Sequence, residues 1–191
     1  MKHNKQAKRN RKTSWTIFIS LWTFFLAVVF TWMSRLLLYN LRSVIISVIL
    51  LILIILIGII FDLIGTAVTA AEEKPFHAKA SKKIYGAKTG IYLVRHADQV
   101  ASFCNDVIGD ISGIVSGVIM TVIIINLSLR SPGINEIYFT ILAAGTISAV
   151  TVGGKAAGKS LAINKPTDVV FFVARLLATL EKICFWKKNR G

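Results

Sequence analysis

The sequence predicts an all-α integral membrane protein with four transmembrane helices and a cytoplasmic interfacial (juxtamembrane) helix. Three observations predict this fold. The chain has 191 residues, of which 54% are hydrophobic, more than is usual for a soluble domain. It carries a formal net charge of +14. The charged residues are concentrated in blocks, and the long stretches between these blocks contain no charge.

Four uncharged stretches are the predicted membrane spans: Trp15–Ser34, Val44–Phe61, Ile111–Leu129 and Ile137–Gly154. Each is long enough, or nearly so, for a helix to cross the roughly 30 Å hydrocarbon core of a bilayer. The first lies in a segment, residues 15–38, that a signal peptide could also explain. Its apolar run is too long for a signal peptide, and no small-residue cleavage site precedes MSRLLLYNLR, so we interpret it as an anchor.

The positions of Lys and Arg predict the orientation. Twenty of the 23 basic residues lie in the N-terminal MKHNKQAKRNRK, in the connection from Glu72 to Asp106 and in the chain from Lys155 onward. Four spans place these segments on one side of the membrane, and the positive-inside rule identifies that side as the cytoplasm. We therefore predict a multi-pass protein of the cell (cytoplasmic) membrane with both termini inside.

The lipid bilayer is the predicted partner of the basic charge, because Lys and Arg beside membrane spans interact with the anionic inner leaflet. No aromatic-rich polar platform accompanies the charge, so we expect no nucleic-acid partner. The predicted organisation is a basic cytoplasmic N-terminus (1–14), an extra N-terminal span (15–38), a membrane domain (44–182) and a basic tail (183–191).

Two segments match signatures of soluble enzymes. GGKAAGKS (153–160) has the spacing of a phosphate-binding loop, and GIYLVRHA (90–97) looks like the start of a histidine phosphatase. A phosphate-binding loop needs a preceding buried strand, whereas this segment follows a predicted transmembrane helix. The phosphatase chemistry needs a second histidine downstream, and none follows His96. We therefore expect no enzymatic activity, with a membrane-tethered nucleotide hydrolase as a distant alternative.

Three short motifs occur in order along the chain. FDLIGTAVTAA (61–71) is similar to F-x-x-x-E-T-A-x-T-A, NDVIGDISGIV (105–115) to L-L-I-G-N-x-L-V-N, and GGKAAGKSLAINKP (153–166) to G-E-I-I-P-K-T-L-A-x-R-N-P. In this order they resemble the membrane domain of the CorB/CorC (cyclin M-type) family over roughly residues 44–182. The resemblance implies divalent-cation (Mg²⁺/Co²⁺) transport across the cytoplasmic membrane.

The chain also departs from the family pattern at polar positions. It has Gly65 in place of the glutamate of E-T-A, Asp110 in place of the first asparagine, and Lys155 in place of the glutamate before P-K. The resemblance is therefore to a degenerate member, one without the cytoplasmic regulatory domains that follow in the family. The alternative to transport is a non-transporting membrane subunit or regulator with a degenerated cation site.

Polar residues at the ends of the second and third spans form a candidate cation site. Asp62 and Thr66 lie four residues apart on one helical face, as do Asp106 and Asp110 on the next span. Mg²⁺ prefers about six oxygen ligands, and acids near a membrane usually face protein or water. We predict a site formed by Asp62, Thr66, Asn105, Asp106 and Asp110, with Mg²⁺ as the bound or transported ion and no other cofactor. Alternatively, these acids are hydrated or paired at the interface.

Lys155 and Lys159 lie on one face of the following helix, at the predicted depth of the acids. If they meet Asp106 or Asp110, ammonium groups replace the metal as counter-charge. This spacing leads to the hypothesis that the cation site is partly converted into an internal salt-bridge network.

Two further patterns concern packing. Gly109, Gly113 and Gly117 form a ridge on the third span that lets another backbone approach, either within the chain or in a homodimer, since the related transporters are dimeric. After Pro166, TDVVFFVARLLATLEKI has apolar residues at helical spacing. It predicts the juxtamembrane helix, with Trp186 and nearby lysines as anchors.

Overall fold

A computed structural model describes residues 17, 20–29, 31–32, 44–130 and 136–188. The predicted basic N-terminus, much of the extra span over residues 15–38 and the last residues of the tail lie outside this set. For residues 129, 130, 136 and 183–188 only the backbone is described, so the predicted anchor Trp186 cannot be assigned contacts.

All secondary structure in the described residues is helical, which confirms the predicted all-α class. The helices in chain order are α1 (Ser20–Val29), α2 (Val44–Ala70), α3 (Lys74–Ser81), α4 (Ala87–Arg95), α5 (Ala97–Ser102), a π-helix (Phe103–Gly109), α6 (Asp110–Arg130), α7 (Glu136–Asn164) and α8 (Pro166–Lys188).

Among the described residues, three helices are long and apolar enough to cross a membrane, which indicates a membrane protein. They are Val44–Ala70 with 27 residues, Ala97–Ser128 with 32 and Ile137–Asn164 with 28. These helices contain the predicted second, third and fourth spans. The third starts at Ala97 rather than at Ile111, because α5, the π-helix and α6 run on without a break. Of the predicted first span, the described part is the apolar α1.

The surface of α2 explains why this stretch is a helix despite its many β-branched residues. Only 22% of its most apolar window is buried within the protein, and Ile45, Ile49 and Ile52 are all exposed. In lipid every backbone polar group must be bonded within its own segment, so an apolar chain is forced into a helix. In water the same exposed apolar surface would be unfavourable.

The described chain forms two compact units. The first comprises residues 1–55 and 110–145. On its helix α6 the residues Ile111, Val115, Ile119 and Ile123 recur every four positions and are all buried. This spacing places them on one stripe of the helix, so α6 buries one face and leaves the others exposed.

The second unit comprises residues 56–109 and 146–191. Its core consists of small and aromatic side chains from α2, α3, α4, α7 and α8: Ala67, Val68, Phe76, Leu93, Ala162, Val170 and Ala174. The fully buried ring of Phe76 lies against Gly90, where a Cβ would come within 2.5 Å of the ring. This core packs the short helices α3 and α4 against α8.

The turn between α3 and α4 depends on a glycine. Gly86 has a φ of 84°, a left-handed conformation that residues with a side chain rarely adopt. A Cβ on Gly86 would also lie 3.1 Å from the backbone of Arg175 in α8. The turn can therefore pack closely on the middle of α8 only because residue 86 has no side chain.

Glu73 connects the start of α3 to the end of α4. Its carboxylate accepts hydrogen bonds of 3.1 Å from His77 Nε2 and from Arg95 Nε. The hydrogen bond with His77, followed by that with Arg95, lowers the pKa of Glu73 from its ordinary value of 4.5. Since all three side chains are exposed, the contribution to stability is small.

We predict that Glu73→Gln makes the unfolding temperature less dependent on acid pH. A lowered pKa in the folded state means that the carboxylate stabilises the fold above its unfolded pKa, and that this stabilisation is lost as the pH falls through the folded pKa. The variant should unfold slightly earlier than the wild type near neutral pH, and the difference should shrink as the pH falls below the unfolded pKa of the carboxyl group. Thermal unfolding in detergent measures this. Glu72→Gln, an exposed neighbour, is the control, and an identical effect of both variants would contradict the prediction.

Candidate functional site

Asp62 is the buried charge of the second unit. It lies in the apolar helix α2 and is only 5% exposed. A carboxylate in such a position is costly unless a counter-charge or hydrogen-bond donors compensate for the lost water. The surroundings of Asp62 therefore decide what this part of the protein can do.

Small residues on α7 let its backbone approach α2 closely. A Cβ on Gly154 would collide with the side chain of Ile59, and one on Gly158 would lie 3.5 Å from the Cβ of Leu63. Ala162, four residues further, is fully buried. These small residues recur every four positions, so they form a groove on α7 into which α2 side chains fit.

This close approach brings two lysines of α7 to Asp62. Lys155 Nζ lies 3.8 Å from Asp62 Oδ1, and Lys159 Nζ lies 3.9 Å from Asp62 Oδ2. The lysines are four residues apart, so both project from one face of α7. The two ammonium groups outnumber the single carboxylate, so the cluster has an excess of positive charge.

The two ion pairs differ in their exposure to solvent. The side chain of Lys155 is 26% exposed and that of Lys159 is 52% exposed, whereas that of Asp62 is 7% exposed. Both N–O distances exceed the 2.7–2.9 Å or so of a direct charge-assisted hydrogen bond. Within the described part of the chain, Asp62 Oδ2 has no hydrogen-bond partner. The attraction is thus mainly electrostatic, and Lys155 is the more strongly desolvated partner.

The π-helix supplies the remaining polar group of the cluster. Its Asn105 carboxamide packs against Gly65 of α2, in the space that a side chain at residue 65 would occupy. The Asn105 Oδ1 atom is buried and has no hydrogen-bond partner among the described residues. From the same π-helix, Gly109 approaches Lys155, whose Nζ lies 3.5 Å from the Cβ position of residue 109. A π-helix is rare and often marks a functional site.

The structure brings together only part of the predicted cation site. Asp62 and Asn105 both lie at this face of α2, whereas Thr66 donates its hydroxyl to the Asp62 carbonyl at 2.9 Å. Asp106 is exposed and accepts a hydrogen bond of 2.8 Å from Ser102. Asp110 is exposed and belongs to the first unit.

The described residues contain no group of three or more His, Cys, Asp and Glu side chains close enough to hold a metal ion. Among these four residue types in the described part of the chain, Asp62 is therefore not part of a group that could hold a metal ion. Two neighbouring ammonium groups oppose the entry of a divalent cation. The two ion pairs can hold α2 against α7. The carboxylate oxygens are the feature that this arrangement shares with a cation site.

Of the three glycines in the predicted ridge, Gly109 packs against other described residues. Gly109 packs near Lys155, as described above, whereas a Cβ at Gly113 or Gly117 would meet no described residue within 4 Å. Both of these glycines are exposed in the described chain. A homodimer seam at Gly113 and Gly117 therefore stays a prediction, and the described residues supply no internal partner for them.

The two enzyme-like segments have other contacts. GGKAAGKS lies within the helix α7, so its backbone is helical and does not form a strand-to-helix loop. Arg95 of the RHA segment binds Glu73. His96 shares a hydrogen bond of 2.9 Å between its Nδ1 and the Tyr92 carbonyl, and its ring stacks on Tyr92.

Sequence reasoning found the lysines but missed their partner and the groove that brings them there. The acids expected to meet them were Asp106 and Asp110, whereas both lysines pair with Asp62. The sequence did contain a signal for this groove. Gly154 directly precedes Lys155 and Gly158 directly precedes Lys159, so glycines and lysines repeat with the same four-residue period. A groove of small residues next to two lysines indicates that the lysines flank a packed helix.

Comparisons with protein-family models, with curated proteins and with solved structures find no match to this chain. The resemblance to the CorB/CorC family thus rests on the three motifs alone.

We predict that Gly154→Leu destabilises the second unit by about 1–3 kcal/mol, because the larger side chain cannot fit beside Ile59. Gly153→Leu is the matched control, since a Cβ at Gly153 meets no described residue within 4 Å. Unfolding in mixed detergent measures both variants. Equal destabilisation by the two would show that α2 does not pack on this face of α7.

We predict strong coupling between Asp62 and Lys155. Asp62→Asn leaves two ammonium groups without a counter-charge. Because both lysine side chains keep contact with solvent, the loss of stability should be smaller than the roughly 3–5 kcal/mol of a broken, fully buried ion pair. Lys159→Met should cost less than Lys155→Met, because the Lys159 side chain is half exposed and screened by solvent.

A double-mutant cycle measures this coupling from the free energies of unfolding. The variant with both Asp62→Asn and Lys155→Met should be less destabilised than the sum of the single changes. Asp106→Asn, an exposed acid on the π-helix, is the control and should change little. Strict additivity would contradict the ion pair.

Proposed function

We propose that this chain is a four-span protein of the cytoplasmic membrane that serves as a non-transporting membrane subunit or regulator. In this proposal both termini and the connection from Glu72 to Asp106 face the cytoplasm, and α8 lies along the inner surface. The Asp62 centre holds α2 and α7 in register and does not carry an ion.

The single observation behind the proposal is the contact of both Asp62 oxygens with ammonium groups. Lys155 faces Oδ1 and Lys159 faces Oδ2. A divalent cation would have to displace both lysines or accept their repulsion, and it would find one carboxylate instead of several. Mg²⁺ dehydrates reluctantly and requires near-octahedral oxygen coordination, so such a site offers too little in return.

The family resemblance adds a reason in the same direction. The position of the family glutamate is Gly65, and the Asn105 carboxamide fills the space beside it. In this chain Lys155 occupies the position of the family glutamate that precedes P-K. One change removes a carboxylate and the other puts an ammonium group in its place, so both reduce affinity for a cation.

Divalent-cation transport is the second candidate. It is favoured by the two buried oxygens without hydrogen-bond partners in the described chain, Asp62 Oδ2 and Asn105 Oδ1. It is also favoured by the exposure of Lys159, whose long side chain can move into solvent. In this candidate the lysines would leave the site when the ion enters.

A flux assay in proteoliposomes separates the two candidates. We expect the wild type to show no Mg²⁺, Co²⁺ or Mn²⁺ flux above that of liposomes without protein, and no change of unfolding temperature with Mg²⁺. The variant with Lys155→Gln and Lys159→Gln removes the repulsion but leaves a single carboxylate, so any rise of its unfolding temperature with Mg²⁺ should be small and larger than that of the wild type. The charge-matched control combines Lys165→Gln with Lys182→Gln, since both of these lysines are exposed.

Two results would overturn the proposal. One is wild-type flux that Asp62→Ala abolishes, which would favour transport. The other is Mg²⁺-dependent stabilisation of the wild type that is lost in Asp62→Ala, since this would require an ion at a site already occupied by lysines.

A further inference from the structure

Two cations of the second unit are held on the same aromatic ring. Lys79 Nζ lies 3.9 Å from the centroid of the Phe171 ring, and Arg175 Cζ lies 4.4 Å from it. Lys79 comes from α3, whereas Phe171 and Arg175 are four residues apart on α8. A ring face attracts a cation through its quadrupole, but it carries no net negative charge to neutralise two of them.

Neither cation has a carboxylate partner in the described part of the chain. The ion pairs found there involve Glu73 and Asp62 only, and both lie elsewhere in the unit. Like charges held near one ring repel each other, so an anion between them would be stabilised. The guanidinium group of Arg175 can bind a phosphate group through two parallel hydrogen bonds.

The turn beside these two residues adds more positive charge. Lys82 and Lys83 are exposed and follow α3 directly, and the next residues lead to Gly86. Gly86 packs on the Arg175 backbone, so the turn is fixed against α8 at the level of Arg175. Two cations thus contact the Phe171 ring and two more lie in the exposed turn that leads to Gly86. We name this set the basic turn: Lys79, Lys82, Lys83 and Arg175.

An apolar row on α8 runs next to the basic turn. Phe172, Leu176 and Leu180 recur every four residues and are 65%, 51% and 61% exposed. The row lies one residue beyond the Phe171–Arg175 row, so the two rows are neighbours on the helix surface. A helix with an apolar row beside cations fits the boundary between headgroups and acyl chains.

The chain path keeps α8 close to a membrane. The apolar helix α7 ends at Asn164 and α8 begins at Pro166, so a single residue separates them. A helix that starts directly at the end of a span has little freedom to leave the membrane surface. The described apolar row and the basic turn therefore meet lipid before they meet any soluble partner.

We propose that the basic turn binds the phosphate headgroup of an anionic phospholipid, while the apolar row of α8 lies against the acyl chains of the same leaflet. Lys79 and Arg175 bind the phosphate from either helix, and Phe171 holds the two cations in position. The proposal depends on a membrane location for α7 and α8, and it does not depend on whether the Asp62 centre binds an ion.

Lipid binding by the full-length protein, purified in detergent, tests this inference. Native mass spectrometry with added phosphatidylglycerol or phosphatidylcholine measures how many lipids stay bound at each concentration. The wild type should retain phosphatidylglycerol in preference to phosphatidylcholine. Arg175→Gln should weaken phosphatidylglycerol binding roughly tenfold, as expected for the loss of one charge-assisted contact.

Matched variants separate a specific site from general positive charge. Lys79→Gln should weaken binding like Arg175→Gln, whereas Lys74→Gln removes the same charge from the opposite end of α3 and should have little effect. Arg175→Lys keeps the charge without the two parallel donors and should give an intermediate affinity. Unfolding temperatures of all variants identify any loss of binding that follows from misfolding.

Three outcomes would overturn the proposal. The first is equal retention of the two lipids by the wild type. The second is the same loss of binding in folded Lys74→Gln and folded Arg175→Gln. The third is displacement of phosphatidylglycerol by inorganic phosphate at equal concentration, which would identify a site for soluble anions rather than for a lipid.

Discussion

Asp62 lies in an apolar helix and has lost most of its contact with water, so a counter-charge is required within a few ångströms. Lys155 and Lys159 supply it from α7. This requirement constrains the register of α2 against α7, because a shift of α7 by one helical turn would leave at most one lysine beside the carboxylate. The glycine groove on α7 brings the two helices together at this level.

The same pairing limits the chemistry of the site. A metal centre needs several anionic or neutral oxygen ligands and room for the ion, whereas here each of the two oxygens of the buried carboxylate faces an ammonium group. Excess positive charge in a poorly hydrated environment disfavours a further cation. The proposed structural role of the cluster and the proposed absence of transport therefore have one physical cause.

The surface formed by α3, the turn that follows it and α8 has a different basis. There Lys79 and Arg175 contact the Phe171 ring and lie near exposed apolar side chains of α8. Contact with a buried carboxylate distinguishes the two groups of cations. Lys155, beside Asp62, must find its counter-charge within the fold, whereas Lys79 and Arg175 have none there among the described residues.

The sequence by itself determined the helical class, the long apolar helices and the candidate polar residues, because these depend on composition and spacing along one segment. It identified Lys155 and Lys159 as potential counter-charges but assigned them to Asp106 or Asp110. Only the tertiary structure decided that Asp62 is their partner and that Gly65 makes room for Asn105. The physical reason is that pairing between helices depends on their relative register and rotation, which small residues on α7 set through close packing and which no pattern within one helix encodes.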